Sequence, residues 1–171
     1  MTTSPVDDAA RSSTLVEAAR YLLSSAESRG LTVAVAESLT GGDVVSALVS
    51  VPGASTVVVG GVVAYATRIK AQVLGVDERR LERTGPVDGE VAEQMASGVA
   101  ALMETDLGLA TTGVAGPADG HRAGTVHVAV ASPWGTVSRE LHLDGDRTQV
   151  RDGATTAVLA LAVALLDAAE E

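Results

Sequence analysis

Only three of the 171 residues are aromatic, Tyr21, Tyr65 and Trp134, and phenylalanine is absent. A core without large rings must be filled by alanine, valine and leucine, in a chain that is 46% hydrophobic. Small side chains fill space only where backbones come close together, and β-strands packed under helices provide that closeness. The length is that of one compact domain. Charge narrows the function further. Twelve basic residues stand against 22 acidic ones, a formal net charge of −10. Such a surface repels phosphate backbones, so a nucleic-acid partner is excluded, although a local pocket for a single phosphate stays open. The lack of cysteine removes disulfides, thiolate catalysis and Cys-ligated metal sites from consideration. The opening residues MTTSPVDDAA have neither a basic nor an apolar stretch, so no signal peptide is expected. The longest uncharged apolar-rich run, Ala154 to Leu166, is short of the ~20 residues of a membrane span. A cytoplasmic domain with no membrane partner is the expectation.

Residues 1–12 read as a flexible N-terminal arm and 13–171 as a single domain. A helix is expected from about Thr14, which has capping-box spacing to Glu17, to a stop at Gly30. LTVAVA at 31–36 reads as a buried strand running into ESLTGG, and a helix follows over 43–51. VVVGGVVAY at 57–65 is a second strand, and short helices are expected at 69–74 and 77–83. Asp88 is a good N-cap for a longer helix with Val91, Met95, Val99 and Leu102 on one face. A third strand covers 107–112, and strands at 125–131 and 136–143 flank SPWG as a hairpin. The last helix spans about Asp146 to Ala168. Strands separated by helices pair in parallel, and the late hairpin adds antiparallel strands. The fold class is α/β, a three-layer α/β/α sandwich around a mixed, mostly parallel sheet.

Chemistry has four candidate places. Glu37-Ser38-Leu39-Thr40-Gly41-Gly42 joins a strand end to a helix start, where α/β sheets place their ligands and free amides hold anions. Ser38 there resembles a nucleophile on a strand-to-helix elbow, although GxSxG is absent; equally, Ser38 or Thr40 caps the helix and the glycines turn the chain. Lys70 is the sole lysine. A desolvated lysine beside a serine can accept its proton, so Ser38 and Lys70 form a possible dyad, while a solvated helix residue is the plainer alternative. Thr112-Gly113 opens a glycine-rich segment after a buried strand, and reads either as a ligand-facing loop or as an ordinary turn. Arg147 and Arg151 stand i,i+4 at the start of the last helix, able to grip one phosphate or carboxylate, or to pair with Asp144, Asp146 or Asp152. His127 and His142 are expected to face each other across the hairpin as a cross-strand pair rather than a metal site.

AESLTGG at 36–42, GGVVAYATRIKAQVLGV at 60–76, GPVDGEVAEQMASGVA at 85–100, TTGVAGPADG at 111–120 and GDRTQVR at 145–151 together resemble the CinA C-terminal domain family. That family includes stand-alone, PncC-type nicotinamide mononucleotide amidases, and its larger members carry a further N-terminal domain for which this length leaves no room. The resemblance implies an amidohydrolase that converts nicotinamide mononucleotide to nicotinate mononucleotide and ammonia, without metal or cofactor. It implies Ser38 as nucleophile and Lys70 as base, with Tyr65 and Thr112 lining the site. Gly41, Gly42 and Gly113 match its backbone turns, and Arg147 matches a phosphate contact. Four places depart from the family pattern. Tyr-Ser-Asn is here Tyr65-Ala66-Thr67, Val-Ser is Val87-Asp88, Asp-Gly-Gly is Ala118-Asp119-Gly120, and the loop to Gly124 is short. A carboxylate at 88, if it faced the pocket, would oppose a phosphorylated substrate. The competing reading is a catalytically silent domain that binds a nucleotide or a protein. A homodimer is expected from the low aromatic content and the apolar last helix.

Overall fold

The computed structural model describes residues 5–116 and 120–169, with side chains from residue 14 onward. Its elements run α1 (Pro5–Ser28), β1 (Val33–Glu37), α2 (Asp43–Val49), β2 (Val58–Val63), α3 (Thr67–Leu74), α4 (Glu78–Thr84), α5 (Gly89–Met103), β3 (Leu107–Gly113), β4 (Thr125–Ser132), β5 (Gly135–His142) and α6 (Arg147–Ala168). The first helix starts at Pro5 and not at Thr14, so residues 5–12 are helical instead of forming an arm. Proline suits a first helical position. A single 3-10 turn at Ala54–Thr56 also joins α2 to β2, where no element was expected.

The five strands lie in the order β2-β1-β3-β4-β5. β1 pairs in parallel with β2 and with β3, while β4 and β5 are antiparallel additions. Strand alternation then sorts the side chains by size. Val33, Val35, Leu107, Leu109, Val126, Val128 and Val130 point to one face, where they pack with α1, α2 and α6. Ala34, Ala36, Ala110, Ala129 and Ala131 point to the other, under α3 and α5. The two faces hold their helices by different means. A fully buried valine or leucine contributes about 1.5–3 kcal/mol by area, whereas an alanine methyl contributes much less and works by letting backbones approach. Gly108 shows how close the approach is: a Cβ there would lie 2.0 Å from the Ala96 carbonyl oxygen of α5. The expected scarcity of large side chains is thus concentrated on one side of the sheet.

Helix ends follow the sequence closely. Asp88 accepts from the amides of Glu90 and Val91 to start α5, and Asp146 forms a capping box with Gln149 to start α6. By length and composition α6 is apolar enough to cross a membrane, yet Val150, Ala154, Val158, Leu159 and Leu166 are buried in the core between it, α1 and the sheet. The hairpin corrects one expectation. Ser132 pairs with Gly135 across the two-residue turn Pro133-Trp134, and this register sets His127 opposite Glu140 and His142 opposite Thr125. The two histidines share a face on the diagonal but do not face each other. His127 is buried, and that burial holds its imidazole below the usual range, against the pull of Glu140 and Asp88.

Candidate active site

β1 ends at Glu37, and the next residue, Ser38, is still tied to β3 because its amide donates to the Thr111 carbonyl at 3.0 Å. The chain then turns within four residues into α2. Gly42, in the left-handed region at φ 111°, makes that turn possible. The Glu37 carboxylate, fully buried, locks the turn in place. It accepts from the Gly42 amide at 2.9 Å, from Val44 at 3.1 Å and from Val45 at 2.9 Å. The helix start thus binds an anion supplied by its own strand. The hydroxyls of Thr40 and Thr111 meet at 2.7 Å beneath it. Glu37, Thr40, Gly41 and Gly42 therefore build the turn that carries Ser38, and none of them lines the neighbouring cleft.

Lys70 reaches the same place from α3. Its side chain is completely buried. The ammonium donates to Ser38 Oγ at 2.8 Å and to the Ala64 carbonyl at 2.7 Å. Burial lowers its pKa to about 8 from the ordinary lysine value, since an ammonium taken out of water is disfavoured. The Ala64 amide in turn donates to the Glu37 carbonyl at 2.7 Å, which ties the end of β2 to the end of β1. α3 follows directly on the end of β2 and packs beside α5, with Leu74 in the cluster on the alanine side of the sheet.

Above Ser38 opens a cleft of about 300 Å³. Five residues singled out in the sequence line it: Ser38, Tyr65, Thr112, Gly113 and Arg147. Tyr65 and Arg147 form an exposed rim, where the guanidinium Nη2 donates to the phenol oxygen at 3.2 Å. Thr112 donates to the Pro86 carbonyl at 2.7 Å and so draws the segment before α5 over the strand end. Pro86 and Val87 join the lining with Leu39 and residues 114–116. The sequence had flagged 114–116 within a glycine-rich segment. Pro86 and Val87 were missed, and the Gly85-Pro86 break was the signal that a loop passes there.

Of the two arginines at the start of α6, Arg147 lines the cleft and Arg151 does not, so they do not converge on one point there. Arg151 turns away from the cleft to donate to the carbonyls of Leu39 at 3.1 Å and Thr40 at 2.8 Å, and it pairs with Asp43 at 2.7 Å. The start of α6 lies beside the start of α2, which brings Asp43 nearer than the acids of its own segment. Asp88 does not face the cleft either. Arg80 binds its carboxylate through Nε at 2.9 Å and Nη2 at 2.8 Å. Burial alone would raise the Asp88 pKa, but Arg80 and the Val91 and Glu90 amides outweigh it and hold the carboxyl below its usual range. Ala66 and Thr67 are exposed at the start of α3, off the lining. Ala118 and Asp119 lie outside the described residues. Among the described residues, no group of three or more His, Asp or Glu side chains is placed to hold a metal ion.

A serine hydroxyl against a desolvated amine, at a strand-to-helix turn and beneath a cleft with one cationic rim residue, is an arrangement suited to acyl transfer. Residues 16–166 match the family model described as the CinA C-terminal domain. A CinA-like protein of Frankia casuarinae is 47% identical over 135 residues, which is 78% of this chain and 31% of the relative. A putative competence-damage inducible protein of Desulforamulus reducens is 44% identical over 135 residues, 33% of its length. The chain thus spans about a third of the length of these curated relatives. Among solved structures, the competence or damage-inducible protein of Enterobacter asburiae superposes with a TM-score of 0.86 at 31% identity, covering 89% of this chain and 98% of that one. The competence/damage inducible protein CihA of Agrobacterium tumefaciens gives 0.85 at 34% identity, with 89% and 95% covered. With the match running from the first helix to the last, this chain belongs to the CinA C-terminal domain family.

Proposed function

We propose that this domain is an amidohydrolase that deamidates nicotinamide mononucleotide to nicotinate mononucleotide through an acyl-enzyme on Ser38, with Lys70 as the general base. The observation that carries the reading is the buried amine of Lys70 at 2.8 Å from Ser38 Oγ, with its pKa lowered to about 8. At pH 7 a group of that pKa is neutral in roughly a tenth of molecules, enough to accept a proton while the resulting ammonium can give it back in the return step. Ser38 Oγ attacks the carboxamide carbon as Lys70 takes the hydroxyl proton. Collapse of the tetrahedral intermediate breaks the C–N bond, and Lys70 returns the proton to the departing nitrogen, which leaves as ammonia. Water, deprotonated by Lys70, then cleaves the Ser38 ester to the carboxylate and free serine. Arg147 is the cation on the described lining of a strongly acidic protein, and it is the group available to the substrate phosphate.

A second reading, a silent domain that binds a nucleotide or a protein, draws on the same lysine. The Ala64 carbonyl and Ser38 accept two of the three N–H bonds of a charged ammonium, as a purely structural contact would. Ammonia release from nicotinamide mononucleotide separates the two, with product mass measured for the wild type, Ser38→Ala and Lys70→Ala. A one-dalton gain in product, abolished in both variants, supports the amidase. Binding without turnover in a folded wild type supports the silent domain.

A further inference from the structure

We infer that Arg151 is a positioning residue for the transition state, acting through the peptide units after Ser38 rather than on the substrate; this rests on the acyl-transfer reading above. Peptide units are planar and trans, so a carbonyl held on one side turns the N–H of the same unit to the other. Arg151 holds two consecutive units, Leu39–Thr40 through the Leu39 oxygen and Thr40–Gly41 through the Thr40 oxygen. The second of these fixes a third, because the Gly41 N–H donates back to the Ser38 carbonyl at 3.2 Å. Glu37 takes the amides of Gly42, Val44 and Val45, and the Asp43 amide donates to the Thr40 carbonyl at 3.3 Å. Among the described residues the amides of Leu39 and Thr40 then have no acceptor. Thr40 is fully buried and off the cleft, whereas Leu39 follows the nucleophile directly and lines the cleft. An oriented donor beside Ser38 is what a developing oxyanion needs, and it is the guanidinium fork that orients the Leu39 amide, through the Thr40–Gly41 and Ser38–Leu39 units, without touching the reacting atoms.

The fork matters more than the charge. Its Nε and Nη2 serve different carbonyls, and Nη2 also meets Asp43 at 2.7 Å. A lysine offers one compact ammonium and cannot span the same acceptors.

The test is steady-state hydrolysis of nicotinamide mononucleotide by Arg151→Ala and Arg151→Lys, each checked for native far-UV circular dichroism and cooperative urea unfolding. The expected result is a loss of kcat of roughly 10²–10³-fold, the effect of disordering an oxyanion donor, with KM within about twofold. Arg151→Lys recovers only part of the loss, and added methylguanidinium raises the kcat of Arg151→Ala at constant KM. Acylation of Ser38 by p-nitrophenyl acetate, followed by intact mass, also develops an oxyanion and needs no pyridine ring. The same fold-loss is expected there. A wild type that is acylated by the ester but inert toward the nucleotide sinks the substrate assignment and leaves this inference standing. Three outcomes overturn the inference: unchanged acylation in the folded variants, no acylation of Ser38 by the ester even in the wild type, and a rise in KM with kcat kept, which would make Arg151 a substrate contact.

Discussion

Burying Lys70 must cost stability, and the cost has a pH signature that Lys70→Met removes. The folded pKa is about 8 and the ordinary value 10.5. The gap between them corresponds to about 3 kcal/mol. Because the folded state holds the proton more weakly than the unfolded chain, the penalty is fully present below pH 8. It is relieved as pH rises toward 10.5. Methionine is close in shape and carries no proton, so the stability difference between wild type and Lys70→Met isolates this one titration from the rest of the protein. Loss of the contacts to Ala64 and Ser38 shifts that difference by a constant and leaves its slope untouched. Urea unfolding at intervals from pH 6 to 9.5 is the assay. Relative to the variant, the wild type should stay level to about pH 7 and then gain about 2 kcal/mol by pH 9.5. Parallel curves for the two proteins would refute the reasoning, since they would mean that Lys70 titrates as it does in water.

The rate should follow the same proton. Below pH 8, kcat/KM is expected to rise about tenfold per pH unit and then level off, as the neutral form of Lys70 saturates; a profile flat from pH 6 to 9 counts against Lys70 as base. Glu37→Gln places an amide donor against amides that the carboxylate now accepts from, so urea unfolding should show a loss of about 1–3 kcal/mol. Gly108→Ala drives a Cβ to 2.0 Å from a backbone carbonyl of α5, and thermal unfolding should register about 3 kcal/mol of destabilisation or more. Asp88→Ala removes the α5 cap and should cost about 1 kcal/mol while kcat/KM stays within twofold, because the carboxylate is paired with Arg80 and lies off the cleft.

Much of this fold was written in local signals. Asp88, Asp146, Gly75 and Gly85 mark helix ends by cap chemistry that acts within a few residues, and the expected boundaries fall close to the observed ones. Errors came where the deciding partner is distant in sequence. The sequence offers Arg151 to a phosphate or carboxylate, or to Asp144, Asp146 or Asp152, but its partners belong to the turn after β1 and to Asp43. The sequence groups Glu37 with ligand-binding residues, whereas the Val44 and Val45 amides of α2 claim its carboxylate. The hairpin register follows from a two-residue turn at Pro133-Trp134, and counting back from it gives His127 opposite Glu140. At the site itself, the scarcity of lysine brought Lys70 forward. Its burial against Ser38 could not be read from the chain, because it depends on how α3 packs beside α5 and against the ends of β1 and β2.

That alanine face has one more consequence, which concerns disorder rather than space. Valine and leucine surrender rotamer freedom when they are buried, and a floor made of them can still repack; alanine and glycine have no side-chain rotamers to lose or to exchange. Ala34, Ala36, Ala110 and Ala129 under α3 and α5 are therefore a floor with a single side-chain state. The strands beneath α5 then add no rotamer exchange of their own to the position of the strand end that leads into Ser38. Warming the protein should bring rotamer exchange to the strand side chains of the valine face, under α1, α2 and α6, and none to those of the alanine face.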